Sequence, residues 1–396
     1  MKICIISNFY PPFFFGMEAG IQREAEALED RGHAVTVITS SPNRKSYTEK
    51  INKVEIHRIF PINLYPAYQF QNKTTLLKIG FHMLDVWNPF SYREIKKTLQ
   101  MINPDVVHVH NYKGLSLGVF SAVKNLGLAL MFSIHDYSLV CPRATLLKSS
   151  EKICNNPQLP CQVYAQAQKL LFNRNKPDRL IVNAQFTLDK LRASGFFNGI
   201  NTKIEGIGIE LNEKMIKKDY EVINILYTGG LTKHKGVHIL INAFKQLKQE
   251  NVRLHVVGKG FDMDEMKKLA GGDLRIIFHG FVSNKDLSTL RDTANISVVP
   301  SIWYDIAHGV ICESFNYGIP VIGSRIGGIP ELIEDGYNGY LFEAGNEQEL
   351  KNALDRLINN PQELKRLETG AFESRKKYDI EDHINHLETL FKELTG

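Results

Sequence analysis

The chain reads as an α/β protein made of two doubly wound, Rossmann-like domains, and three observations predict this. Short apolar runs such as Ile3–Ser7, Ala34–Thr39 and Ile223–Thr228 alternate with amphipathic helical stretches, the pattern of parallel strands joined by crossover helices. The alternation starts at the first residues and starts again after a lysine-rich polar run that ends near Glu221. Glycines follow the strands at Gly16, Gly229-Gly230 and Gly258–Gly260, where open α/β sheets carry their ligand loops. A length of 396 residues, 43% apolar and 23% charged, suits two such domains with full cores.

Taken in order, Ile3–Ser7 is a buried strand, and the prolines of Asn8–Phe15 (NFYPPFFF) keep the next loop out of helix. Gly16 opens a helix to about Arg31 with Ile21, Ala25 and Leu28 on one face, ended by Gly32-His33 before the strand Ala34–Thr39. Tyr65–Tyr92 is aromatic and basic, with a helix around Thr74–Val86, and reads as a packed insertion or as a lip facing an acceptor or a membrane. Pro104–His110 is a strand whose alternation puts His108 and His110 on one face, with Asn111 starting the loop. Leu128–Ile134 delivers His135-Asp136-Tyr137 to the carboxyl edge of the sheet. Arg179–Asn183 is a further strand and Phe186–Gly195 a helix.

In the second half, Ile223–Thr228 is followed by Gly229-Gly230-Leu231, and Lys235-Gly236 enters a helix to about Lys248. A lysine beside a glycine turn after a strand is a compact counter-ion for a diphosphate. Arg253–Val257, Leu274–His279 and Asn295–Pro300 are strands. The last runs into an aromatic loop, Ile302–Tyr304, that carries Asp305. A helix opening near His308-Gly309 carries Glu313, and the strand Ile319–Gly323 and the turn Gly327-Gly328 follow. Unpaired N–H groups of His308, Gly309 and Val310 suit phosphate. The carboxylate of Glu313 suits two ribose hydroxyls, with Asp305 reaching a sugar beyond. Tyr340–Phe342 is a strand, and helices near Glu347–Ile358, Pro361–Lys376 and Glu381–Leu394 close the chain.

The run from Asp305 through Glu313, Gly318-Ile319-Pro320-Val321-Ile322 and Gly327-Gly328-Ile329-Pro330-Glu331 resembles the signature of retaining, GT-B-fold glycosyltransferases of family four (glycosyl transferases group 1). Tyr10-Pro11-Pro12 with Gly16-Met17-Glu18, His135–Arg143 (HDYSLVCPR), Gly206–Glu210, and Gly229-Gly230-Leu231 with Lys235-Gly236 are similar to other motifs of that family. Three positions depart from it: Asp305 stands for Glu, Phe15 for Gly, and Gly230 for the Arg of many members. The resemblance implies two domains facing a cleft, with residues 1–210 on the acceptor side, 211–378 holding the donor and 379–396 crossing back to the first. It implies transfer, with retention, of a sugar from a nucleotide-diphosphate sugar to a hydroxyl of a glycan or lipid-linked acceptor. Asp305, His135 and Lys235 are then the catalytic candidates. Gly16, Gly229, Gly230, Lys235, His308, Gly309, Val310 and Glu313 are the donor-binding ones, His110 and Asn111 lie on the acceptor side, and Phe281 and Val282 lie at the nucleobase. The donor is a substrate, so no cofactor is implied, and the absence of an obvious D-x-D motif argues against a metal site of the GT-A kind. A non-catalytic sugar-nucleotide-binding partner subunit, and a GT-B nucleotide-sugar epimerase or phosphorylase, remain alternative readings.

Net charge is +5, compatible with a sugar nucleotide or an anionic membrane surface, and no nucleic-acid motif is found. No apolar run approaches the roughly 18 residues of a membrane span. With Met1-Lys2 leading directly into a strand, a cytoplasmic protein is expected, with peripheral contact at the cytosolic face of a membrane compatible with its class. The five cysteines fit reduced thiols; Cys141, Cys154 and Cys161 fall in one predicted loop without a C-x-x-C pair. The sequence does not specify an oligomeric state.

Overall fold

The computed structural model describes the whole chain except residues 13–16, 149, 151, 207, 307 and 308, with backbone alone at 70–72 and 75. It divides into two compact units. The first comprises Met1–Leu146, Cys154–Gly208 and Ile380–Gly396; the second comprises Leu147–Ile153 and Ile209–Asp379.

In the first unit the strands are β1 (Lys2–Ser7), β2 (Ala34–Ser40), β3 (Tyr47–Ile51), β4 (Val54–Ile59), β5 (Val106–Asn111), β6 (Ala129–Ile134), β7 (Arg179–Val182) and β8 (Thr202–Ile204). Its helices are α1 (Glu18–Asp30), α2 (Thr75–Val86), α3 (Pro89–Ile102), α4 (Gly118–Asn125), α5 (Leu159–Arg174) and α6 (Gln185–Ala193). The sheet order is β3-β4-β2-β1-β5-β6-β7-β8, parallel except for β3 against β4. Ile3, Ile5, Val107 and Val109 are fully buried, as expected of central parallel strands covered on both faces.

The second unit holds β9 (Ile223–Thr228), β10 (Val252–Val257), β11 (Ile276–Gly280), β12 (Ile296–Val299), β13 (Val321–Ser324) and β14 (Gly339–Phe342). Its helices are α7 (Val237–Lys245), α8 (Met263–Ala270), α9 (Asn284–Thr293), α10 (Gly309–Asn316), α11 (Glu347–Ile358) and α12 (Pro361–Ser374). The six strands are all parallel, in the order β11-β10-β9-β12-β13-β14.

The chain ends in α13 (Ile380–Thr395), which belongs to the first unit. Its fully buried Ile384, Leu387 and Phe391 join one core cluster with Ile3 and Ile5 of β1 and Ile21 and Leu28 of α1. Outside that core, Arg31 pairs with Glu381, and His33 Nε2 lies 2.9 Å from Glu388 Oε1.

Two segments correct the sequence reading. The hairpin β3–β4 carries little apolar periodicity on its outer strand, where the exposed side chains of Tyr47, Thr48 and Lys50 hide the pattern. Helix α5 places Cys161 in a helix rather than in one loop with Cys141 and Cys154. It buries a stripe of Tyr164, Gln168 and Phe172 and leaves Leu159, Val163 and Leu170 exposed, so its amphipathic signal is weak. Among the described residues no helix is long and apolar enough to cross a membrane.

Because α13 completes the first core, Phe391→Ala should destabilise the protein by about 3–5 kcal/mol, from lost burial and the cavity left behind. Urea unfolding followed by fluorescence checks this; a loss under 1 kcal/mol would mean that α13 is not integral to that core.

Candidate functional site

In the second sheet β9 and β12 are neighbours, and their connections leave in opposite directions, to β10 and to β13. Such a switch point opens a crevice beyond the carboxyl ends of the two strands. The loop after β9 brings in Lys235 and the loop after β12 brings in Asp305. Gly236 (φ +74°) permits the approach, because a Cβ there would lie 1.7 Å from the carbonyl oxygen of Pro300.

Lys235 Nζ donates to Asp305 Oδ2 at 2.7 Å, and Ser301 Oγ donates to the same oxygen at 2.9 Å. The ammonium also lies 5.0 Å from the centroid of the Trp303 ring. Asp305 is 2% exposed. Its backbone is clasped by Gly328, whose N–H donates to its carbonyl at 3.1 Å, and by Gly327 (φ +60°), where a Cβ would meet Asp305 N at 2.7 Å. The sequence reading has Asp305 reach a sugar; in this structure its carboxylate holds Lys235.

Glu313, on α10, is partly exposed, and Arg291 of α9 pairs with its Oε2. The Arg291 guanidinium in turn lies 5.8 Å from the centroid of the Tyr317 ring. Sequence reasoning missed Arg291, a single arginine on a polar helix, and nothing in its surroundings signals it. Gly309 and Val310 open α10. A Cβ added at Gly309 or at Gly230 would meet nothing within 4 Å among the described residues. The Gly229 N–H donates to the Val257 carbonyl at 3.0 Å, which ties the turn after β9 to the end of β10. Gly16 and His308 lie outside the described residues. Burial, and then the charge of Lys235, push His234 down to about 4, so it is neutral. Phe281 is exposed, with Lys259 Nζ 5.6 Å from its ring centroid. A D-x-D spacing does occur, at Asp262-Met263-Asp264, contrary to the sequence reading. It sits at the start of α8, where Asp262 Oδ2 accepts from the Lys233 N–H at 2.8 Å.

The first unit carries a second cluster. Ile5, His108 and Met131 stand in register across β1, β5 and β6, which puts a fully buried imidazole in the middle of the sheet. A buried polar group needs partners. His108 Nε2 meets Ser133 Oγ at 2.7 Å, and its Nδ1 lies 2.9 Å from Glu24 Oε1 of α1. His110 Nε2 lies 3.1 Å from that same oxygen, and His110 Nδ1 lies 3.0 Å from His135 Nε2. On the far side His383 of α13 bridges Glu205 (Nδ1 to Oε1, 2.9 Å) and Glu24 (Nε2 to Oε2, 3.5 Å). His135 Nδ1 is buried with no hydrogen-bond partner among the described residues. Asn111 closes its own turn, with Oδ1 accepting from Lys113 N and Nδ2 donating to Asp136 Oδ2 at 3.3 Å.

Burial, with the neighbouring His110 and His108, lowers His135 well below the usual histidine value, so it is neutral at pH 7. Burial alone would raise Glu24, yet the charges and hydrogen bonds of His110 and His108 hold it well below the usual carboxylate range. Burial opposes the charge on His383 too, but its hydrogen bonds to Glu205 and Glu24 raise it to about 9. Glu24, His108 and His110 offer ligand atoms within 4.8 Å of one another, the spacing a shared ion would need. Those atoms already face each other at hydrogen-bond distances, and His383 occupies the remaining carboxylate oxygen.

The glycosyl transferases group 1 family matches residues 209–374, and glycosyltransferase family 4 matches residues 15–203. An uncharacterised glycosyltransferase of Methanocaldococcus jannaschii is 27% identical over 376 residues, 91% of this chain and 90% of that protein. The alpha-monoglucosyldiacylglycerol synthase of Acholeplasma laidlawii is 24% identical, covering 100% of this chain and 97% of the other. Anabaena HepE, solved in complex with UDP, superposes with a TM-score of 0.74 at 20% identity, over 100% of each chain. The fold is GT-B, two Rossmann-like α/β units. The chain belongs to the group 1 glycosyltransferases.

The raised His383 value gives a pH signature. A cation stabilised on folding contributes fully below its unfolded value of about 6.5, and the contribution is lost as pH rises through about 9. Unfolding free energy should therefore decline between those limits by an amount on the order of 3 kcal/mol, and His383→Gln should flatten the decline. Urea titrations of both proteins at several pH values measure the difference.

Proposed function

We propose that this glycosyltransferase takes a nucleotide-diphosphate sugar as donor and passes the sugar, with retention of anomeric configuration, to a hydroxyl of a glycan or lipid-linked acceptor. The observation that carries the reading is the Lys235–Asp305 pair, an ammonium held at 2.7 Å at the switch point of the second sheet. As the glycosidic C–O bond breaks, negative charge grows on the diphosphate. Lys235 and the N–H groups of Gly309 and Val310 meet that charge without reorganising. The acceptor hydroxyl passes its proton to a diphosphate oxygen on the same face, so no protein base takes part. Glu313, steadied by Arg291, accepts from the ribose hydroxyls, and Phe281 lies near the base. Asp305 acts through Lys235. His135, from the first unit, serves a substrate hydroxyl.

HepE, solved with UDP, supports a nucleoside diphosphate, and the Acholeplasma synthase supports a lipid acceptor. The exposed Leu76, Ile79 and Met83 of α2 support work at the cytosolic face of a membrane.

Lys235→Ala should lower kcat about 10²–10³-fold. Glu313→Ala should mainly raise the KM for the donor. Initial rates over a panel of sugar nucleotides, with the anomer of the product read by NMR, test this. Wild-type turnover and donor KM in both variants would refute the assignment, and an inverted product would refute retention.

A further inference from the structure

We propose that the outward face of α2, continued by Trp87 and the exposed stripe of α3, is a docking surface for a lipid bilayer with anionic headgroups. It brings the enzyme to the lipid-linked acceptor of the reading above, and in that respect it rests on that reading; the binding to lipid does not.

Helix α2 reverses the usual arrangement of a surface helix, whose apolar side faces the core. At about 100° per residue, Ile79, Met83, Leu76, Leu84 and Leu77 fall within one arc of roughly 160°, with Gly80 among them and no charged residue. All five are exposed, Leu76 by 79% and Met83 by 73%. The opposite arc holds Phe81, Asp85, Lys78 and His82, and it faces the protein. Phe81 stacks on Tyr65 with ring centroids 4.8 Å apart, and His82 lies 6.4 Å from the Tyr164 ring of α5. Buried Asp85 accepts on Oδ1 from the Gly114 N–H at 2.8 Å. A buried carboxylate stripped of its donor is costly, so Asp85 fixes the rotation of α2 and keeps its apolar side outward.

The neighbouring chain widens the patch. Leu64, itself exposed, packs over Gly80, where a Cβ would meet its Cδ1 at 2.7 Å. Asn88 Nδ2 donates to the carbonyl of exposed Ile62 at 2.9 Å, which ties that loop to the junction of α2 and α3. A contiguous apolar surface of this kind marks a contact site.

Charge selects the occupant. Residues 60–102 carry five lysines and arginines against two acids, and one of the acids is the buried Asp85. Arg93 and Lys97 share the exposed stripe of α3 with Phe90 and Met101, and Glu94 is the one acid beside them. Such a surface sinks its apolar side chains to the acyl boundary while its cations meet lipid phosphates. The exposed ring of Trp87 suits the headgroup level between them. A second copy of this chain fits poorly, because a two-fold contact sets the same cations against one another.

Flotation of the full-length protein with vesicles of equimolar phosphatidylglycerol and phosphatidylcholine, against phosphatidylcholine alone, tests this. Binding to the mixed vesicles should be tighter by about 10-fold or more, and should weaken as salt rises. Leu76→Ser with Ile79→Ser and Met83→Ser should lower it about 10–100-fold at an unchanged unfolding midpoint. Arg93→Glu with Lys97→Glu should remove the preference for the anionic lipid. A wild type that stays off the mixed vesicles overturns the proposal, and so does equal binding to both kinds; neither result depends on a variant. Undiminished binding by both folded variants overturns the location on α2 and α3. A wild-type dimer in sedimentation velocity that the triple variant breaks makes a second copy the occupant, and overturns the proposal too. The sugar-transfer reading fails separately, in the rates of Lys235→Ala and Glu313→Ala, which need no vesicle.

Discussion

An ammonium held against a buried carboxylate organises the ligand edge of the second unit. Desolvating two charges offsets much of their attraction, so the Lys235–Asp305 pair is a poor source of net stability. Its contribution is positional. Asp305 fixes the cation where the loops after β9 and β12 converge, and the backbone makes room for both: Gly236 under Lys235 and Gly327 under Asp305 admit approaches that any Cβ would block. The departure from glutamate at position 305 has a physical account in this setting. The short side chain keeps Oδ2 close to the backbone, where it meets Ser301 Oγ and Lys235 Nζ together. In the proposed reaction a diphosphate would compete with Asp305 for the same ammonium, so the pair would hold Lys235 ready without locking it.

The first unit solves a different problem. A sheet covered on both faces leaves little place for polar groups, yet β5 puts His108 at its centre and His110 near its end. These imidazoles are tolerable because α1 supplies Glu24, beside both of them, and α13 supplies His383 at the other carboxylate oxygen of Glu24. Helix α13 therefore acts twice. Leu387 and Phe391 close the apolar core, and His383, one turn earlier on the same buried side, balances the carboxylates.

Much of this was legible in the sequence. The strand–helix alternation placed the eleven strands other than β3, β4 and β8 within a position or two, and the glycine turns marked where ligand loops leave the sheets. Lys235 and Asp305 were both singled out, but not their contact, because residues 70 apart in the chain meet only through the strand order. The buried network escaped for a related reason. Glu24 lies on the stripe of Ile21, Ala25 and Leu28, and His383 on that of Ile380, Ile384 and Leu387. A charged residue on a core stripe was the available signal, and the apolar neighbours drew attention instead. Arg291 gave no such signal.

The absence of an arginine at position 230 bears on how the donor's charge is met. Among the described residues nothing lies within 4 Å of a Cβ there, so their packing does not impose the glycine. The neighbouring cations do not take its place: Lys233 pairs with Glu265 at 3.1 Å, His234 is neutral, and Lys259 lies over Phe281. Among these, Lys235 is the cation fixed at the switch point. In the proposed reaction a leaving diphosphate would rely on the backbone N–H groups at the start of α10 to a larger extent than it would beside two cations. Dipoles of that kind are already oriented, so in the proposed reaction the helix start would carry much of the charge stabilisation that a second cation would otherwise supply.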